Sequence, residues 1–107
     1  MSVRIYLADD LLTACLIGEI DHHSAKAIRE EIDEAAGRAR PERLMLDFRD
    51  VTFMDSSGIG LVMGRYAMMR ELGGELLIDN MPAHIKKVMK LAGLEKLANI
   101  ETGGRAK

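Results

Sequence analysis

Val3, Ile5 and Leu7 alternate with Arg4 and Tyr6 near the start of the chain. A period of two marks a strand with one buried face. Asp9-Asp10 breaks the pattern, and Leu11 to Ile17 resumes it as a second strand that Gly18 ends. The short break predicts a β-hairpin. From His22 to Arg38 the period changes. Ala25, Ile28, Ile32, Ala35 and Ala39 recur at helical spacing, while Lys26, Arg29, Glu30, Asp33 and Glu34 fill the other side. This is an amphipathic helix with one face on a core. Asp21 or Ser24 is its expected N-cap, and Pro41 marks the exit.

Leu44 to Phe48 reads as a third strand. Ile59, Val62, Met63, Tyr66 and Met69 then trace one helical stripe, which Gly73-Gly74 stops. Leu61, Met68 and Leu72 form a second apolar line beside it, with Arg65 between. Leu76 to Ile78 is a fourth strand. Pro82 suits the first turn of another helix, with Asn80 as an alternative cap. Ile85, Val88, Met89 and Ala92 are expected inside, and Lys86, Lys87 and Lys90 outside. Gly93 is a C-cap candidate with Leu94 as its apolar contact. Leu97 to Ile100 completes a fifth strand, and the tail 102–107 is expected to fray. Strands alternating with helices from residue 44 onward imply right-handed crossovers and a parallel sheet. The expected fold is a single α/β domain. Its mixed, mostly parallel sheet has about five strands, an antiparallel N-terminal hairpin and about three helices packed on it.

Composition narrows the partners. Of 107 residues, 48% are hydrophobic and 30% charged, ordinary for a globular domain. The formal net charge is -2. That argues against a nucleic-acid binder, which needs a basic face to neutralise phosphates. No apolar run reaches transmembrane length and no signal peptide is visible. One cysteine, Cys15, forms no internal disulfide. A cytoplasmic setting is expected, with Cys15 a buried structural thiol.

The chemistry-bearing stretch is Phe53-Met54-Asp55-Ser56-Ser57-Gly58-Ile59-Gly60. It is read as a loop at the carboxyl end of the third strand, where sites in open α/β sheets tend to sit. Capping explains one serine, Ser57 ahead of Gly58. A nucleophile needs a base, and His22, His23 and His84 are the histidines available. The hydrolase elbow fails because Met54 stands where a glycine is required. Gly58, Gly60 and Gly64 do not match the dinucleotide spacing; they suit close helix–sheet packing. Modification remains. A phosphate brings about two negative charges, which a helix N-terminus tolerates. Beside Asp55 it would repel any partner that fits the bare serine.

"GEIDHHSA" at 18–25, "FMDSSGIGLVMGRY" at 53–66, "GGELLI" and "LAGLEKL" resemble the bacterial anti-sigma-factor antagonists of the STAS domain class. The run "DHH" and the "GRY" after the serines point to the sporulation branch rather than the general-stress branch. The resemblance implies a regulator, not an enzyme, with no cofactor and no metal. The unmodified protein would bind an anti-sigma factor that is also a serine kinase carrying a nucleotide, and so release a sigma factor. The kinase would phosphorylate Ser56 and end the binding, and a serine phosphatase would reverse it. Asp55 carries over as the acid beside the serine, and Ser57 as the neighbour that shapes the turn. The partner surface is expected at Asp21, His22, His23, Asp55, Ser56, Ser57, Gly58 and Met68. His22 and His23 read either as an exposed helix entry or as a rim beside the serines. Relatives often have a serine where Met81 stands and add a C-terminal helix. A monomer is expected, with no membrane and no direct nucleic-acid contact. Alternatives are a general-stress antagonist, a nucleotide-sensing module of the same fold, and a small hydrolase using Ser56 with His22 or His23.

Overall fold

A computed structural model describes residues 2–93. The elements run β1 (Ser2–Ala8), β2 (Leu11–Ile20), α1 (His22–Ala39), β3 (Arg43–Met54), α2 (Ser56–Glu71), β4 (Glu75–Asp79) and α3 (Ala83–Leu91). Sheet order follows chain order, β1-β2-β3-β4. β1 and β2 are antiparallel, and Ala8 pairs with Leu11 around a turn at Asp9-Asp10. Asp9 takes a φ of 56°, a left-handed conformation that a short polar side chain tolerates. β2 with β3 and β3 with β4 are parallel. Both crossovers step the same way across the sheet, so right-handed connections put α1 and α2 on one face. The core lies between that face and the helices. Leu12, Ala14, Leu16, Leu44, Leu46 and Phe48 meet Ile28 and Ile32 of α1 and Val62 and Met69 of α2 there.

β3 departs from the expectation. It continues past Phe48 to Met54, and β2 continues past Ile17 to Ile20. Two register shifts occur along the pair: Cys15 faces Asp47 but Ile17 faces Asp50, and Gly18 faces Val51 but Glu19 faces Phe53. Each shift gives β3 one extra residue, a β-bulge. Inward positions therefore recur every third residue, and Phe48, Val51 and Met54 are all buried. A period-two reading ends where the first bulge begins, at Phe48. Gly18 supplies the positive φ of 94° between the two shifts.

Helix ends carry the expected chemistry with some changes. α2 stops at a Schellman motif: Gly74 N–H donates to Met69 C=O at 2.7 Å and Gly73 N–H to Arg70 C=O at 3.1 Å, with Gly73 left-handed. Met63 is half-exposed, whereas Leu61 and Arg65 are buried; the helix turns its inner face toward α1 as well as the sheet. Pro82 sits at the N-cap of α3, outside the first turn, and makes no side-chain cap bond. Asn80 does not cap; its amide donates to Asp47 at 3.1 Å. Ile85 and Met89 are buried and Val88 is partly so, but Ala92 is exposed. The Cys15 thiol is half-buried, 3.9 Å from Asp47. Burial, then the Asp47 charge, pushes its pKa up, which disfavours the reactive thiolate. Four strands stand among the described residues. The expected fifth strand at 97–100, the Leu94 contact and the tail 102–107 lie outside them.

Two glycines make opposite predictions. A Cβ on Gly74 would lie 2.5 Å from the Glu42 carbonyl oxygen and 2.7 Å from Met69 Cε. Backbone cannot yield as a side chain does, so Gly74→Ala should destabilise by about 1–3 kcal/mol. Gly37, inside α1, has open space around that position. Gly37→Ala should stabilise by about 0.5–1 kcal/mol. Urea unfolding of both variants measures the two signs.

Candidate functional site

Ile20 and Met54 face each other at the carboxyl ends of β2 and β3. Each strand is followed at once by an aspartate and a helix. Asp21 caps α1 and Asp55 caps α2, so two helix N-termini open side by side at one sheet edge. The Asp55 N–H donates to the Ile20 carbonyl at 3.2 Å and joins the two units. Asp21 accepts from the His23 and Ser24 amides at 3.0 Å each, and Ser24 Oγ accepts from the Asp21 amide at 3.0 Å. This capping box settles the choice between the two candidates: Asp21 is the cap and Ser24 its partner.

The serines are not in a loop. Asp55 is the N-cap of α2, its carboxylate accepting from the Ser57 amide at 2.8 Å. Ser56 and Ser57 are the first two helical residues. The cap is Asp55 and not Ser57 because β3 runs six residues past Phe48, to Met54. With Asp55 capping, neither serine hydroxyl is needed for the helix start. Ser56 is exposed and its hydroxyl engages no described residue. Ser57 is half-buried and lines a groove between α1 and α2. Gly58 is buried beneath them. A Cβ there would run into the Met54 side chain and come within 3.3 Å of Ile20 Cγ2. The chain therefore needs glycine at 58 so that α2 can start directly on the strand ends.

His22 and His23 part company. Their rings lie 4.1 Å apart, tilted by 36°. His22 lines the groove with Ser57, whereas His23 lines a shallow hollow with Gly18 and Glu19. Both are exposed. No hydrogen bond joins either histidine to a serine among the described residues, and His84 contacts the Thr52 carbonyl at 3.2 Å instead. The acid–base pairing that a serine nucleophile requires is not assembled. Met68 lies twelve residues beyond Ser56 on α2, about 18 Å along the axis. It is half-buried and packs on the core. The structure thus gathers Asp21, His22, His23, Asp55, Ser56, Ser57 and Gly58 at one edge and leaves Met68 apart.

Arg65 was a gap in the apolar line; it is a buried tie between helices. Its Nε lies 2.9 Å from Asp33 Oδ1 of α1. Neither atom takes part in a hydrogen bond among the described residues, so the pair is held by charge. Burial pulls the Arg65 pKa down, Asp33 offsets this, and nearby Arg29 adds to the fall. Gly60 and Gly64 do not pack on the sheet as the spacing suggested. They open onto the groove, where a Cβ would meet nothing within 4 Å. The sequence signal was present: two glycines one helical turn apart, opposite Lys26 and Arg29.

Asp21 carries a pH prediction. Its carboxylate pKa is lowered, chiefly by the hydrogen bond from the Ser24 amide. A folded-state pKa below the unfolded one contributes stability that is present above the unfolded value and lost as pH falls through the folded value. The chain should lose this contribution below about pH 4. Asn also accepts cap bonds but does not titrate in this range. Asp21→Asn should flatten the acid limb of a stability–pH curve measured by urea denaturation.

The STAS domain family matches residues 3–103. The anti-sigma F factor antagonist of Paenibacillus polymyxa is 34% identical over 90 residues, covering 84% of this chain and 77% of that protein. The anti-sigma-B factor antagonist of Bacillus subtilis is 32% identical over 85 residues, covering 79% and 76%. Among solved structures, the anti-sigma factor antagonist SpoIIAA in its unphosphorylated form superposes with a TM-score of 0.82 at 27% identity, covering 97% of this chain and 90% of that one. The phosphorylated form of SpoIIAA, from Bacillus, gives a TM-score of 0.74 over 97% and 93%. A four-stranded mixed sheet, two capped helices opening at one edge and a serine pair on the second of them accompany these matches. The chain belongs to the STAS domain family, among the anti-sigma factor antagonists.

Proposed function

We propose that this chain is an anti-sigma factor antagonist switched by phosphorylation of Ser56. The unphosphorylated form binds an anti-sigma factor that is also a serine kinase with bound nucleotide, and the sigma factor is released. Phosphorylation of Ser56 by that kinase ends the binding, and a serine phosphatase restores it. The protein acts as a cytoplasmic monomer, contributes no catalysis of its own, and meets its partner through Asp21, His22, His23, Asp55, Ser57 and Gly58 around Ser56, with Met68 as an outlying contact.

One observation carries this reading. Ser56 is the first residue of α2, exposed, with its hydroxyl engaged by nothing described and Asp55 already serving as the cap. A kinase can therefore reach the hydroxyl without unwinding the helix. The first turn of α2 holds no acidic residue, so the partial positive charge of the helix N-terminus tolerates a phosphate there without breaking the fold. The added charge acts on the partner instead, through repulsion and desolvation at a formerly uncharged contact. Phosphorylated and unphosphorylated forms of the structural relative SpoIIAA support the same logic. The residues "DHH" and "GRY" favour a sporulation sigma factor. A general-stress sigma factor is the second reading, favoured by the 32% identity to the Bacillus subtilis anti-sigma-B factor antagonist.

Incubation with the anti-sigma factor kinase and ATP, followed by peptide mapping, should place a single phosphate on Ser56. Ser56→Asp should fold normally and lose affinity for the kinase by at least about tenfold, whereas Ser57→Ala should lose less. Phosphate on Ser57 would keep the switch and move its residue. Equal affinity of Ser56→Asp and wild type would overturn the switch.

A further inference from the structure

The groove between α1 and α2 has a volume of about 440 Å³, and its α2 wall begins at Ser57. Every ionisable group on its lining is basic: His22, Lys26 and Arg29 from α1, and Arg65 from α2. Asp33 answers the charge of Arg65 at 2.9 Å. Lys26 and Arg29 are exposed and form no ion pair or hydrogen bond with any described residue. The whole chain carries a net charge of -2, so this strip reverses the sign of the molecule locally.

The wall of the groove is also unusually bare. Gly60 and Gly64 stand one turn apart on α2, and a Cβ at either would meet nothing within 4 Å. Gly58 differs, because its Cβ would collide with Met54. Internal packing therefore explains glycine at 58 and not at 60 or 64. Glycine inside a helix weakens it relative to alanine. What the pair provides is room for another backbone to come close to α2. Room beside uncompensated positive charge suits a carboxylate-bearing chain, by charge complementarity.

We infer that this groove receives an acidic segment of the anti-sigma factor, with carboxylates over Lys26 and Arg29 and backbone over Gly60 and Gly64. The inference rests on the antagonist reading and adds a contact of stated sign to it. It also joins the groove to the switch. A phosphate on Ser56, one residue from the wall, would bring negative charge toward the same cations and repel the incoming carboxylates.

Two double variants test it, with the purified, nucleotide-loaded anti-sigma factor as probe. Lys26→Glu with Arg29→Glu changes only exposed side chains, so the melting temperature should hold. Its affinity should fall at least about tenfold, and the salt dependence of binding should flatten. Lys86→Glu with Lys87→Glu, on the exposed side of α3, should leave affinity unchanged and so exclude a general charge effect. Gly60→Ala with Gly64→Ala should raise the melting temperature, since the space is open, and yet weaken binding. Unchanged affinity in the Lys26/Arg29 or the Gly60/Gly64 variant overturns the inference, as does an equal fall in the α3 control. If wild type itself fails to bind, the antagonist reading falls, and an oligoglutamate titration followed by amide NMR shifts judges the groove. Shifts at Lys26, Arg29, Gly60 and Gly64 that vanish on charge reversal would sustain it; no shifts there would overturn it.

Discussion

Ile20 pairs with Met54 where two parallel strands end, and the Asp55 amide closes that end on the Ile20 carbonyl. Two helices leave from this point side by side, so the position of each N-terminus is set by sheet register rather than by loop length. Register in turn depends on the two bulges in β3. Without the two bulges, plain alternation from Phe48 would turn Asp50 and Thr52 inward in place of Val51. Asp55 would then start α2 at a different height relative to Asp21. The buried contact of Gly58 with Met54 and Ile20 locks the same junction from beneath. A flexible loop could expose a serine too. This junction exposes Ser56 on a fixed backbone, which lowers the ordering entropy a partner must overcome.

Much of the fold was legible in residue order. The hairpin, α1 with its Ile28 and Ile32 face, the stop at Gly73-Gly74 and the parallel crossovers follow from periodicity and turn chemistry alone. The misreadings have physical causes. Bulges break the period of two, so Phe48 looked like a strand end although Val51 and Met54 continue the buried row. That error moved the cap from Asp55 to Ser57 and made a loop of a helix start. Met63 lies on the apolar stripe of α2 and is still half-exposed, since the helix packs on more than the sheet. The helix also packs on α1, which rotates the buried face toward Leu61 and Arg65. Asp33 looked like a solvated charge for the same reason. Helix-to-helix contacts leave no mark in the spacing of a single element.

The space between α1 and α2 joins two opposed demands. Arg65 and Asp33 draw the helices together through a contact that is buried on the Arg65 side, and removing Asp33 would leave the buried guanidinium charge without an answer. Toward the serines, Gly64 beside Arg65 and Gly60 one turn further leave the space between the helices open because they carry no side chain. The tie and the gap lie on the same α2 face within a few residues, so the gap is framed by a stiff anchor rather than by a loose end. α2 is accordingly packed at Leu61 and Arg65 and open at Gly60 and Gly64.

Strand order identical to chain order has a consequence for how the protein is made. Each strand pairs with the one before it, across at most one intervening helix. Among the described residues no strand must be inserted between two already joined, and no early segment waits for a late one. Loop-closure entropy is therefore paid in small, successive steps. A chain emerging from the ribosome N-terminus first can lengthen its sheet edge by edge in the order of synthesis. Such stepwise growth covers the open edge of β2 and then of β3 as soon as the next strand is made, which limits the time in which two nascent chains could pair through those edges.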